Sequence, residues 1–200
     1  MKTIFKVFIL TVILSSTSIA VMAQAESNTY EQNPEIDKFV GTWEWTSGNQ
    51  KFQLVIDKQK LDYSDEIFIN YYIDEAVVWH SYTINGQVVS SSMGNVNTKF
   101  TNVNEAIKNT VISGEGTSST NRLNLMFNDK IKHKLGKVSI ELLPGKTNEA
   151  TWKLRGIGTI YLPQGETYDA TWSLPLDMVL TKKETTPTWT IPGGGWTPFF

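Results

Sequence analysis

The fold of this chain is decided by residues 38–56, which read KFVGTWEWTSGNQKFQLVI. On both sides of the Ser47-Gly48-Asn49 turn, large apolar side chains alternate with polar ones, which is the period of a half-buried β-strand. Glycine and asparagine are typical of the short turns that join antiparallel strands. The stretch therefore predicts a hairpin, whose alternating side chains include Phe39, Gly41, Trp43 and Trp45 on the first strand and Phe52, Leu54 and Ile56 on the second.

The same two-residue period continues along most of the remaining chain. Residues 77–84 end at Asn85-Gly86, a dipeptide that favours a type I′ turn, so residues 87–92 are expected to pair back on them. Only residues 103–108 indicate a further helical turn, and parallel βαβ units would need longer helices. Further strands are predicted at 67–73, 110–113, 123–127, 130–135, 138–143, 152–155 and 176–182.

This number of strands in one domain predicts a sheet that closes on itself. An open sheet of eight to ten strands would leave long edges exposed to other chains. We expect an all-β fold, an antiparallel β-barrel of about eight to ten strands. A β-sandwich is the alternative.

The two ends of the chain differ from its middle. Lys2 and Lys6, an apolar run over 7–14 and small residues ending at Ala23 predict that residues 1–23 are a signal peptide, so the mature protein is exported, either periplasmic or extracellular. Residues 24–33 are a polar, flexible lead-in, and Asn33-Pro34 begins a short helical turn. The barrel domain is expected over 34–184, followed by a tail rich in proline, glycine and aromatic residues over 185–200.

Composition excludes several functional classes. Of the 200 residues, 40% are hydrophobic and 19% charged, enough for a folded core. The absence of cysteine excludes disulfides, thiolate metal sites and a cysteine nucleophile. A formal charge of -2 gives no basic surface for nucleic acid, and after residue 23 no apolar run is long enough for a transmembrane helix.

The opening Lys38-Phe39-Val40-Gly41-Thr42-Trp43 resembles that of lipocalins and fatty-acid-binding proteins, which are eight- or ten-stranded barrels of calycin type. In those families the tryptophan of the G-x-W motif packs under the closed end, and a basic residue from the last strand lies across its ring. The resemblance implies a barrel-closing role for Gly41 and Trp43, with Lys182 or Lys183 as the basic residue. It also implies a cation–π contact over Trp43.

The mature chain as a whole resembles a family of uncharacterised secreted proteins of Gram-negative bacteria. The resemblance rests on the "GTWEW" opening at residues 41–45 and on the "LPLDMVLTK" close at residues 174–182. That family is a domain of unknown function. The resemblance therefore implies a fold and an exported location without implying an activity.

Catalytic and metal-binding patterns are not found. His80 and His133 lie in no zinc spacing and no nucleophile motif, and we expect no catalytic residues, no metal and no cofactor. Lys130, Lys132 and Lys134 alternate along a predicted strand, where they form either a solvated face, a guarded sheet edge or an anion site.

The remaining candidates are large side chains that either fill the barrel or line a pocket inside it. We expect a non-enzymatic domain that binds a small apolar ligand in the barrel. Two alternatives remain: a structural or protein-interaction domain with a filled core, whose protein partner is unknown, and a carbohydrate-binding module with exposed tryptophans. The expected lining residues are Trp45, Phe52, Leu54, Ile69, Tyr71 and Trp79.

Overall fold

The structure is a computed structural model that describes residues 29–64, 70–109, 121–157 and 169–183, together with the backbone of 112–119. The predicted signal peptide, the tail over 185–200 and the candidate lining residue Ile69 lie outside the described residues. In the part of the chain that is described, no helix is long and apolar enough to cross a membrane.

Strands dominate the described residues, as the two-residue period predicts. The described residues form ten strands, 3₁₀ turns at Pro34–Lys38 and Met93–Asn95, and one α-helix at Val103–Asn109. The strands are β1 Thr29–Glu31, β2 Gly41–Ser47, β3 Gln50–Asp62, β4 Tyr71–Ile84, β5 Gln87–Ser91, β6 Ile112–Ser119, β7 Arg122–Asp129, β8 Lys134–Leu142, β9 Glu149–Gly156 and β10 Asp177–Lys182.

One strongly curled sheet contains all ten strands. Eight of them follow the order β4-β3-β2-β10-β9-β8-β7-β6, every neighbouring pair being antiparallel. The path then returns to its start, because β6 also pairs with β4 at Val77–Ser113 and Val78–Ile112. The expectation of an all-β, barrel-like sheet is confirmed, whereas a sandwich would need two separate sheets.

Two predictions about local structure need correction. Residues 29–31, inside the predicted lead-in, form β1 and pair in parallel with β4. The predicted strand over 130–135 is wrong as far as residue 133, because the carboxylate of Asp129 accepts the backbone N–H groups of Ile131 and Lys132 and bends the chain into a turn. The turn ends at His133, whose φ is +54°, so the three lysines do not share a strand face.

The concave side of the sheet holds the main core. Among the described side chains, β2, β3, β4, β7, β8, β9 and β10 contribute inward-facing residues to one cluster, and the 3₁₀ turn adds Ile36. The largest of these side chains are fully buried: Trp43, Phe52, Leu54, Ile56, Leu123, Phe127 and Trp152.

One end of this core is closed by three residues, Gly41, Trp43 and Lys182, here called the lock. Lys182 lies over the ring of Trp43, with Nζ 5.4 Å from the ring centroid, and donates to the carbonyl of Lys38 at 3.0 Å. Trp43 Nε1 donates to the carbonyl of Phe39 at 2.7 Å. Gly41 has φ +126°, and a Cβ there would lie 3.1 Å from Lys182 Cε, so glycine makes room for the lysine stem.

The opposite end is covered by residues 169–176, here called the strap, which lead into β10. The ring of Trp172 lies 6.3 Å from that of Phe127 and occupies the space above Gly136, where a Cβ would come within 2.8 Å of it. Asp129 fixes the strap by accepting the backbone N–H of Ser173 at 2.8 Å. Because β10 runs from the strap to Lys182, the strap and the lock lie at opposite ends.

The lock predicts a test on Lys182. In Lys182→Met the stem remains but both the cation–π contact and the hydrogen bond to Lys38 are lost, so we expect the free energy of unfolding to fall by about 1–2 kcal/mol. The matched control is Lys183→Met, which removes an exposed ion pair with Glu44 and should cost less than about 1 kcal/mol. Urea denaturation measures both, and equal losses would contradict the role given to Lys182.

The strap predicts a second test, at Gly136. Its substitution by alanine forces a methyl group to within 2.7 Å of Leu154 Cδ1 and 2.8 Å of Trp172, and overpacking of this kind costs about 1–3 kcal/mol. Gly94→Ala is the control, since nothing lies within 4 Å of its Cβ position. Thermal unfolding should separate the two variants, and a neutral Gly136→Ala would show that the strap does not pack there.

Candidate functional site

A buried histidine lies near the strap end of the core. His80 is only 1% exposed. It occupies the next inward-facing position of β4 after Val78, two residues further along the strand. Its ring centroid lies 6.3 Å from that of Phe52 and 5.9 Å from that of Phe127, the second ring being nearly perpendicular to it. Because Phe127 also contacts Trp172, the histidine belongs to the group of rings that fills this end.

Two serine hydroxyl groups lie within hydrogen-bonding distance of the imidazole nitrogens. His80 Nε2 lies 2.8 Å from the hydroxyl of Ser90, and Nδ1 lies 3.3 Å from the hydroxyl of Ser92. The Ser92 hydroxyl also accepts the backbone N–H of His80 at 3.0 Å. A β-bulge explains this placement, because Tyr82 pairs with Ser90 whereas the next residue of β4 pairs with Val88, which leaves one extra residue in β5.

The imidazole is neutral at physiological pH. Burial lowers the pKa of His80 to about 4, and the nearby carboxylate of Asp129 opposes this shift only in part. In a catalytic triad a carboxylate orients the histidine, whereas here Nδ1 faces a hydroxyl group. The arrangement is therefore suited to hydrogen bonding, and weakly suited to proton transfer near pH 7.

A pocket of about 260 Å³ opens beside His80, here called the mouth pocket. Its apolar walls are well exposed, Val88 by 65% and Ile131 by 51%. Its polar lining residues include His80, Ser90, Asn128 and Lys130. The full lining is His80, Val88, Val89, Ser90, Ser91, Phe127, Asn128, Lys130 and Ile131.

The lining residues expected from the sequence do not form one site. Phe52 and Leu54 lie fully buried in the main core, and Trp45 packs against its edge. Tyr71 is half-buried at the start of β4, opposite Thr29 of β1. Ile69 is outside the described residues.

The expectation that Trp79 lines the interior is wrong. Neighbouring residues of a strand point to opposite faces, and in β4 it is Val78 that joins the main core. Trp79 joins a second cluster with Leu61, Val77, Phe100 and Ala106. That cluster lies on the convex side of the sheet, beneath the segment that carries the α-helix.

Sequence reasoning did not select the two serines. The Asn85-Gly86 turn does bring residues 90–92 beside His80, and this pairing was available from the hairpin prediction. The β-bulge in β5 could not be predicted from the hairpin pattern, and this bulge decides which serine reaches Nε2 of His80. For metal binding, the described ranges contain no group of three histidine or carboxylate side chains that would hold an ion.

The low pKa of His80 predicts how stability depends on pH. An unfolded chain protonates histidine near pH 6.5, whereas the folded protein protonates His80 near pH 4. Between these values only the unfolded state binds the proton, so the free energy of unfolding falls as pH decreases from about 6.5 to about 4. The loss from this residue amounts to about 3 kcal/mol and is absent above pH 6.5.

His80→Gln should remove this part of the acid sensitivity, because glutamine still offers hydrogen bonds but does not titrate. Urea denaturation at several pH values between 7 and 4 measures the difference. Carboxylates titrate in both proteins and cancel in the comparison. Identical pH dependence in the two proteins would contradict a neutral, buried His80.

Comparison with known proteins identifies the family. No curated protein and no solved structure was found to match the chain. The profile of a family of unknown function (DUF6705) matches residues 1–183, which include every described residue. The chain therefore belongs to the DUF6705 family of unknown function.

Proposed function

We propose that this protein is an exported, non-enzymatic binding domain of lipocalin-like type that holds a small apolar ligand in the mouth pocket. Export is inferred from the charged and apolar segments within residues 1–23, which have the pattern of a signal peptide. The ligand site differs from the one expected from the sequence, since it lies at the strap end and not deep within the core.

The order of strands supports the lipocalin-like architecture. From β2 to β10, leaving out β5, each curled strand pairs with the next in sequence, and β10 pairs with β2. An eight-stranded up-and-down path of this kind is the lipocalin arrangement. The lock agrees with it, since a lysine of the last strand lies over the tryptophan of a G-x-W motif.

The mouth pocket carries the proposal. Exposed valine and isoleucine side chains line it together with a neutral imidazole, serine hydroxyl groups and the polar side chains of Asn128 and Lys130, which gives apolar walls beside several polar groups. Ligand sites commonly combine these two features. The volume of about 260 Å³ lies just under the usual lower limit of about 300 Å³, so the ligand is a small molecule.

Deep binding is less well supported than binding at the mouth. Phe52 and Leu54 are fully buried against other core side chains, so a ligand there would have to displace them. Surface recognition of carbohydrate is also less well supported, because three of the five tryptophans in the described ranges, Trp43, Trp79 and Trp152, are fully buried.

The experiment is native mass spectrometry of the mature protein after exposure to a lipid extract of its host envelope. We expect a small non-covalent adduct on the wild-type protein and its loss from the double variant Val88→Lys/Ile131→Lys, which places two charges in the apolar walls. The control is Val179→Lys, an equally exposed position on β10 outside the pocket, which should keep the adduct.

Two outcomes would overturn the proposal. A bare wild-type mass would favour the protein-interaction domain with a filled core. An adduct that persists unchanged in the double variant would place the ligand elsewhere. Thermal unfolding of each variant verifies that the fold is intact, which is expected because all three substituted side chains are exposed.

A further inference from the structure

The convex face of β7, β8 and β9 carries an uncommon concentration of positive charge. A groove of about 470 Å³ on this face, here called the basic groove, is lined mainly by polar and charged side chains. They are Arg122, Asn124, Lys137, Ser139, Glu141, Lys153 and Arg155. Four cations and one carboxylate thus line the groove, in a chain whose formal charge is -2, and a second carboxylate, that of Asp177 on β10, stands opposite Lys153.

The register of the strands brings like charges together. Lys137 stands directly opposite Arg155 on β9, and Lys153 stands opposite Ser139, one diagonal step away from Lys137. Directly opposed like charges destabilise a sheet, by up to about 1 kcal/mol per pair. A neutral side chain in place of Lys137 or Arg155 would leave the packing of the core unchanged, since both side chains are exposed.

The two arginines and the two lysines differ in their partners. Arg122 pairs with Glu141 at 2.7 Å, and Arg155 pairs with Asp177 at 2.6 Å. Among the described residues, no carboxylate lies within ion-pair distance of Lys137 or Lys153. Within the described ranges, a ligand would therefore displace no ion-pair partner from either ammonium group.

A second group of lysines provides a comparison, because the positive charge of each is paired with an acceptor inside the protein. Lys38, Lys146, Lys182 and Lys183 line a larger hollow at the lock end. There, however, each ammonium already has an acceptor within the chain. The acceptors are Glu35, Glu149, the carbonyl of Lys38 and Glu44, respectively.

We infer that the basic groove binds an oligomeric oxyanion, a ligand with at least two phosphate or sulfate groups, between Lys137 and Lys153. Side chains at opposed and diagonal positions of an antiparallel pair are about 5–8 Å apart, which suits adjacent charged groups of one ligand. Asn124 and Ser139, which also line the groove, add neutral hydrogen-bond donors. Binding would relieve the repulsion between Lys137 and Arg155.

This site is independent of the mouth pocket, with which it shares no lining residue. Failure of one proposal therefore leaves the other standing. The test uses the mature chain and two probes, inorganic tripolyphosphate and a sulfated tetrasaccharide. Titration calorimetry at low and at physiological ionic strength measures affinity, and the stronger probe indicates whether phosphate or sulfate esters are preferred.

The double variant Lys137→Gln/Lys153→Gln should weaken binding of the stronger probe about tenfold or more, since two charge-assisted contacts are lost. The matched control is Lys51→Gln/Lys99→Gln, which removes the same charge from lysines already paired with Glu44 and Asp57. It should change the affinity by no more than about twofold.

A second readout separates a binding role from a structural one. Without ligand, Lys137→Gln should keep or slightly raise the unfolding temperature, because a like-charge pair disappears. Absence of binding by the wild-type protein to both probes, equal weakening in the control, or a marked loss of stability in Lys137→Gln would overturn the inference.

Discussion

The pairing of β10 with β2 is the contact on which the rest of the structure depends. It joins residues almost 140 positions apart, and such contacts must repay a large loss of chain entropy. Only two residue pairs form the ladder itself, Thr181–Glu44 and Lys182–Trp43. The lock reinforces them, since the lysine ammonium both covers the indole ring and holds the carbonyl of Lys38.

The two ends of the core solve different physical problems. At the lock end a large apolar ring is sealed by a side chain whose charged tip stays near water. At the strap end a polar ring is placed among aromatic side chains, and two serines from a bulged strand satisfy it. Burial of an imidazole costs stability at low pH, which a purely apolar core would avoid.

The charged side chains of the protein also differ in whether they have a partner. Most cations named above have a partner inside the protein, whether a carboxylate, a carbonyl or an aromatic ring. Lys137 and Lys153 differ from this pattern, and they lie on strands that pair with a neighbour on each side. A paired backbone is ordered before a ligand arrives, so little backbone entropy is lost on binding.

Local patterns in the sequence were enough to predict most of the strands, the hairpin turns and the barrel-like class. Alternation placed Trp43, Phe52 and Leu54 in a core, and Asn85-Gly86 specified a hairpin, because these signals act between residues close in the chain. The lysine over Trp43 followed from a family resemblance on about eight residues. The turn at Asp129 was missed, because its carboxylate bonds to the backbone in a way that alternation does not encode.

The candidate sites, in contrast, arise only when distant parts of the chain are brought together. His80 meets Ser90 through a bulge, and the mouth pocket combines β5 with the distant end of β7. Lys137 and Arg155 become neighbours only through the register of two strands. A shift of one residue would have sent every one of these side chains to the other face. Register and closure depend on the packing of the whole sheet, and for that reason a one-dimensional pattern of hydrophobicity cannot fix them.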